Sequence, residues 1–186
     1  LAAAAPTIWT HLSDDRRNRI LVLFDASIAP NAQNERYQVN RSIRALQNGG
    51  IRGQGLSHGT MVQSSPLPMQ RNEFIFSAIG EELGMLGCLA VLLLLSAVII
   101  RIIHVGIKSG NYMNRLICVG IAGMMASQIL INVGVCLGLV PVIGLTLPFF
   151  SYGGSSLITT FLAMGIVSGI NMRPAPDINA RYIRPR

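Results

Sequence analysis

Glu73, Glu81 and Glu82 crowd the approach to a long apolar run that begins at position 83. A carboxylate at such a boundary is costly unless it is solvated or paired. It is also the group that takes a proton from a hydroxyl in general-base catalysis. Glu73 and Glu81 stand eight positions apart, about 12 Å along a helix axis, so they cannot serve one bond together. Each also has a plainer reading, as an interfacial anchor hydrogen-bonded to loop backbone.

Two more features stand out. Gln128 and Asn132 are four apart in another apolar run, on one face of a helix. Two amides there read as helix–helix glue or as the wall of a polar cavity. The segment 147–156, Leu-Pro-Phe-Phe-Ser-Tyr-Gly-Gly-Ser-Ser, is the least ordinary. Pro148 blocks helix continuation, and Gly153-Gly154 permit positive φ and close backbone approach. Ser155 or Ser156 can cap the helix that follows. Non-helical backbone at a membrane edge is tolerated only when buried in protein or lining a wet cavity. The segment is therefore expected to fold back against the other spans, as a candidate lining for a site near Glu73.

Other chemistry has little support. His11, His58 and His104 are scattered and form no Ser/His/Asp set. Cys88, Cys118 and Cys136 lie inside apolar runs with no CxxC spacing and read as small buried side chains. No zinc spacing or basic aromatic motif points to nucleic acid, so no nucleic-acid partner is expected.

The elements that position these residues follow from composition. The apolar set makes up 51% of 186 residues and charged residues 12%, about half the usual charged share of a soluble domain. An all-α polytopic membrane protein is expected. Three stretches are long enough to span, at about 83–103, 116–140 and 155–172. Gly134 with Gly138, and Gly165 with Gly169, have the spacing that lets membrane helices approach closely. Ahead of the spans runs a polar stretch, 10–73. In it, positions 20–24 read as part of an interfacial helix. Tyr37, Ile43 and Leu46 read as one face of a second short helix that Gly49-Gly50 ends. Leu1 and the four alanines after it read as the end of a preceding span. The chain is thus expected to be the C-terminal part of a longer protein.

Net charge is +7, and the distribution of Lys and Arg sets an expected topology. Arg101, Lys108 and Arg115 flank the first connection, and Arg173, Arg181, Arg184 and Arg186 follow the last span. The connection 141–154 has no charge. Positive-inside logic puts the first connection and the 173–186 tail in the cytoplasm. Residues 1–82, apart from the end of a span, then form a large extracytoplasmic loop, and 141–154 lies on the same side. Eight arginines in the long loop oppose this, but the rule is weak for loops of that length.

Phe74-Ile75-Phe76-Ser77-Ala78-Ile79-Gly80-Glu81-Glu82-Leu83-Gly84, the Gln128/Asn132 pair and Pro148-Phe149-Phe150-Ser151-Tyr152-Gly153-Gly154-Ser155-Ser156 together resemble the SEDS family of RodA, FtsW and SpoVE proteins. The likeness runs from about position 19 to 172. It implies a ten-span glycosyltransferase of the bacterial cytoplasmic membrane that polymerises lipid II into peptidoglycan, in elongation, division or sporulation. Its expected partners are lipid II, membrane lipids and a class B penicillin-binding protein, a transpeptidase. The family's proposed catalytic acid, usually Asp, stands immediately before Phe-Ile-Phe, where this chain has Glu73. Arg71 and Arg52 become candidates to hold the leaving pyrophosphate, and a divalent cation is the alternative. Ser151, Tyr152, Gly153 and Gly154 are expected to shape the outer cavity. A lipid II transporter and a non-catalytic scaffold for the transpeptidase are the competing readings.

Overall fold

The computed structural model describes residues 32–59 and 73–172. Four helices follow in chain order: α1 (Ala32–Gly49), α2 (Ile75–Lys108), α3 (Tyr112–Cys136) and α4 (Gly154–Met172). There is no strand among the described residues, which form an all-α arrangement. α2, α3 and α4 are each long and apolar enough to cross a membrane. The proposed interfacial helix around 20–24 lies outside the described residues.

The three long helices stack their apolar sides in two clusters. Phe74, Phe76, Val91, Leu95, Ile129, Val135 and Leu147 share one, at the end where α2 begins and α3 finishes. Ile102, Val105, Cys118, Met125, Val167 and Ile170 share the other. Phe149 packs against both and sets its ring edge-on to Phe161, with centroids 5.9 Å apart. Arg101, Lys108 and Arg115 are exposed at the end where α2 joins α3. At the opposite end 137–153 has no charged residue, while α1 and its loop carry Arg36, Arg41, Arg44 and Arg52 beside the glutamates at 73, 81 and 82.

α2 starts eight residues earlier than the first apolar run. Its 34 residues would reach about 51 Å if unbroken, against a hydrocarbon core of about 30 Å. The helix is broken at Gly84, where φ is 69° and ψ −168°. A break in a membrane helix frees backbone groups that lipid cannot satisfy. Here the loop after α1 satisfies four of them. Met85 N–H donates to Gly50 C=O (2.9 Å) and Leu86 N–H to Ile51 C=O (3.3 Å). In return Gln54 N–H donates to Glu81 C=O (2.9 Å) and Gly55 N–H to Glu82 C=O (3.0 Å). A Cβ on Gly84 would run into Gly53 N and Ile51 O. Only glycine fits both the backbone angles and the contact.

α1 lies against the ends of α2 and α3. Its buried face is Ser42, Ala45 and Gly49, flanked by half-buried Val39, Ile43 and Leu46. Tyr37 is exposed, so the expected Tyr37–Ile43–Leu46 face is corrected by one member. Ser42 Oγ donates to Cys136 C=O at 2.8 Å, filling a carbonyl that the end of α3 leaves open. α3 finishes in a Schellman turn: Leu139 N–H reaches Gly134 C=O, Gly138 N–H reaches Val135 C=O, and Gly138 takes φ 72°.

The small-residue pairs act differently from one another. A Cβ on Gly134 would meet Val140 of the same turn and one on Gly138 would meet Val39 and Ile43 of α1, while one on Gly165 or Gly169 would meet nothing among the described residues. The first pair thus lets α1 approach the end of α3, and the second forms no seam there. Closer seams form over Gly49, Gly53, Gly80 and Gly84, where α1 and its loop meet α2.

Candidate active site at the start of the second helix

Glu73 is the last residue before the turn into α2. Phe74 and Phe76 behind it are buried in the core and fix the entry of the chain. No side chain caps the helix at Phe74. Instead the Phe74 carbonyl accepts from Ser77 N–H, Ala78 N–H and Ser77 Oγ, the last at 2.7 Å.

The backbone of Glu73 is held from α3. Asn132 is 1% exposed, and its Nδ2 donates to Glu73 C=O at 2.9 Å and to Leu145 C=O at 2.8 Å. Cys136 Sγ also faces Glu73 C=O at 3.7 Å. One amide therefore ties the start of α2 to the 137–153 loop. The Glu73 side chain is half-buried and lies along that loop. A Cβ on Gly144 would come within 3.4 Å of Glu73 Oε1. The amide pair thus divides: Asn132 forms the clamp, while Gln128, a turn earlier, is half-buried and takes no part in it.

The 147–154 segment builds the rest of this end. Leu147 and Pro148 are buried, and Phe150 N–H closes a turn onto Leu147 C=O at 3.3 Å. Pro148 sits second in that turn and Phe149 third, with φ 66°, the sign that a type II turn requires. Ser151 is buried, and its Oγ accepts from Leu147 N–H at 2.7 Å. Tyr152 is 79% exposed. Gly153 and Gly154 do not take positive φ as expected; Phe149 does, because the turn falls four residues earlier. Nor does Ser155 or Ser156 cap α4. Both lie in its first turn, and Ser156 Oγ donates back to Gly153 C=O at 2.9 Å.

The other carboxylates belong to a different place. Glu81 is 0% exposed, packed under the loop after α1, where a Cβ on Gly59 would lie 3.0 Å from Glu81 Oε2. Glu82 is half-buried beside it. The loop binds the backbone carbonyls of both. Arg52 is exposed on that loop, and Arg71 lies outside the described residues. The structure therefore brings together Glu73, Asn132 and the 141–154 connection, and separately Glu81, Glu82 and Arg52. Among the described residues no three His, Cys, Asp or Glu side chains are grouped to hold a metal.

Glu73 and Tyr152 stand at the same end of the bundle, as the sequence reading requires. What this end offers chemically is a half-buried carboxylate with a fixed backbone beside an uncharged loop. That suits proton abstraction from a hydroxyl. The amide spacing alone did not reveal the clamp, because its two acceptors lie 59 and 13 positions away. The glycines at 49, 50, 53, 55, 80 and 84 were the one available signal for the docked loop.

Comparison with known proteins gives a consistent result. Residues 1–175 match the profile of the cell cycle protein family of FtsW, RodA and SpoVE. The chain is 34% identical over 172 residues to the peptidoglycan glycosyltransferase MrdB of Escherichia coli K12, covering 92% of this chain and 46% of that protein. It is 38% identical over 135 residues to stage V sporulation protein E of Bacillus subtilis, covering 73% of this chain and 37% of the relative. Among solved structures, one describing the coordination of polymerization and crosslinking by a peptidoglycan synthase complex superposes with a TM-score of 0.67. It is 31% identical and covers 98% of this chain and 47% of the other. An aspartate-to-alanine mutant of the rod shape determining protein RodA of Thermus thermophilus superposes with a TM-score of 0.55. It is 39% identical and covers 58% of this chain and 37% of the other. The chain spans about half the length of the curated relatives it matches.

Proposed function

This chain belongs to the cell cycle protein family of FtsW, RodA and SpoVE, and on that footing we propose that the complete protein is a peptidoglycan glycosyltransferase. In this reading it polymerises lipid II at the outer face of the bacterial cytoplasmic membrane, and Glu73 is the general base. The observation that carries the proposal is the convergence on Glu73: the start of α2, the end of α3 and the uncharged 137–153 connection meet there, with the Glu73 backbone fixed by Asn132. Relatives named as peptidoglycan glycosyltransferases support the reaction class.

The step follows from the chemistry of a sugar pyrophosphate. The acceptor hydroxyl oxygen attacks the anomeric carbon of the donor, and a new glycosidic C–O bond forms. The bond from that carbon to the pyrophosphate oxygen breaks, and the lipid pyrophosphate leaves with the electron pair. The hydroxyl proton passes to the Glu73 carboxylate. Arg71, two positions before Glu73 in the sequence, is the candidate to hold the leaving group, with a divalent cation as the alternative; Arg52 stands apart, on the loop beside Glu82. Tyr152, Gly153 and Gly154 are the candidates to shape the acceptor site, and Ser151 holds the turn before them. The Glu73 end then faces outward, and Arg101, Lys108 and Arg115 face the cytoplasm, as positive-inside logic requires. A class B penicillin-binding protein is the proposed partner, supported by the likeness to a synthase complex that coordinates polymerization and crosslinking.

The test is reconstitution of the complete protein, with its transpeptidase, in vesicles containing lipid II. Formation of glycan strands is expected. Movement of lipid II across the bilayer without polymer would replace the reading with a transporter. Polymer formed only by the transpeptidase preparation would replace it with a scaffold.

A further inference from the structure

We propose that Asn132 is a positioning residue for Glu73, setting where the base stands relative to the acceptor hydroxyl. This rests on the glycosyltransferase reading and adds a residue that acts through the base rather than on substrate.

The argument begins with what the Asn132 amide does and does not satisfy. Both Nδ2 bonds go to backbone carbonyls, of Glu73 and Leu145. Those carbonyls accept and cannot donate, so the amide cannot be turned over without losing both bonds. Its Oδ1 is buried with no hydrogen-bond partner among the described residues. An unpaired buried acceptor costs about 1–3 kcal/mol. An apolar side chain of the same size would remove that orphan but strip the amide donor from the Glu73 and Leu145 carbonyls. The two bonds reach segments far apart in the chain, and both end beside the Glu73 carboxylate: one on its own peptide, one on the residue after Gly144. Asp at 132 would present only acceptors to two carbonyls when ionised. Leu would present none and would leave both carbonyls without that donor. The amide is the side chain that suits this place if the separation between Glu73 and the loop matters.

Misplacing a catalytic group by about 1 Å can cost about 100-fold in rate. Loss of the clamp should therefore lower kcat by about 10- to 100-fold while the KM for lipid II stays within about 2-fold. Because Asn132 acts through Glu73, the effects should not add. The double variant Glu73→Gln/Asn132→Leu should be no slower than Glu73→Gln alone.

The experiment compares the complete protein with Asn132→Leu, Asn132→Gln, Glu73→Gln and the double variant, each with its transpeptidase and lipid II. The expected result is a kcat loss for Asn132→Leu, a smaller one for Asn132→Gln, an unchanged KM and no additivity. Full kcat in Asn132→Leu alongside an inactive Glu73→Gln overturns the positioning role and leaves the glycosyltransferase reading intact. Additive losses overturn it as well, since they mark an effect independent of Glu73. A Glu73→Gln variant as fast as wild type removes the base itself. A second readout needs no turnover: the reaction of Glu73→Cys with a water-soluble thiol reagent, counted above the labelling of the parent protein. Asn132→Leu should change that rate several-fold, and an unchanged rate overturns the proposal.

Discussion

Replacing Gly84 by Ala tests the way this fold carries a broken helix. Gly84 has φ 69° and ψ −168°, a region open essentially to glycine alone, and holding another residue there costs about 1–3 kcal/mol. The new Cβ would also overlap Gly53 N and Ile51 O, both backbone atoms that cannot rotate away. Two relaxations are available. In one the helix keeps its break and pushes the loop off; in the other residue 84 turns helical and closes the gap that the loop fills. Either frees the amides of Gln54 and Gly55 from the Glu81 and Glu82 carbonyls. Undocking relieves that strain, so the docked loop is weakened by about 1–3 kcal/mol. At tenfold per 1.4 kcal/mol, that is a loss of protection of about 5- to 150-fold. Hydrogen exchange at Gln54 and Gly55 in the complete protein reads it directly. Exchange at the wild-type rate in Gly84→Ala would refute the reasoning, because the loop would then not depend on the glycine.

Three further outcomes follow from the same contacts. Ser151→Ala removes the acceptor for the buried Leu147 N–H and should cost about 1–3 kcal/mol, seen as a lower midpoint in thermal unfolding. Tyr152→Ala, at an exposed neighbouring position, should leave that midpoint unchanged. Ser42→Ala strips the bond to the Cys136 carbonyl and should cost about 1 kcal/mol, read as faster proteolysis at the end of α1.

The three spans were legible because lipid imposes a long apolar run on any helix that crosses it. Their ends were less so. Residues 75–82 belong to α2 although two carboxylates interrupt their hydropathy, because burial under the loop at 50–59 shelters Glu81. That loop is about thirty positions upstream, and no local pattern announces where it docks. The same holds for Asn132. Its spacing from Gln128 named a shared face, but only the return of the 137–153 connection decides which of the two amides is used. Tyr37 was misplaced because a helix face read from three apolar residues gives way to small side chains, Ser42, Ala45 and Gly49, where packing is closest. The place of Glu73 at the edge of a span was legible, since a carboxylate beside Phe-Ile-Phe stands out in a chain with so few charges.

The role of Glu73 is tested most directly by the rate at which the complete protein, with its transpeptidase, converts lipid II to polymer when that one side chain is changed. Glu73→Gln keeps the size and removes the proton acceptor, and its rate should fall by at least about 100-fold, within the range of general-base catalysis. Glu73→Asp keeps the carboxylate and should retain measurable polymerisation. Polymer formed at the wild-type rate by Glu73→Gln would contradict the account.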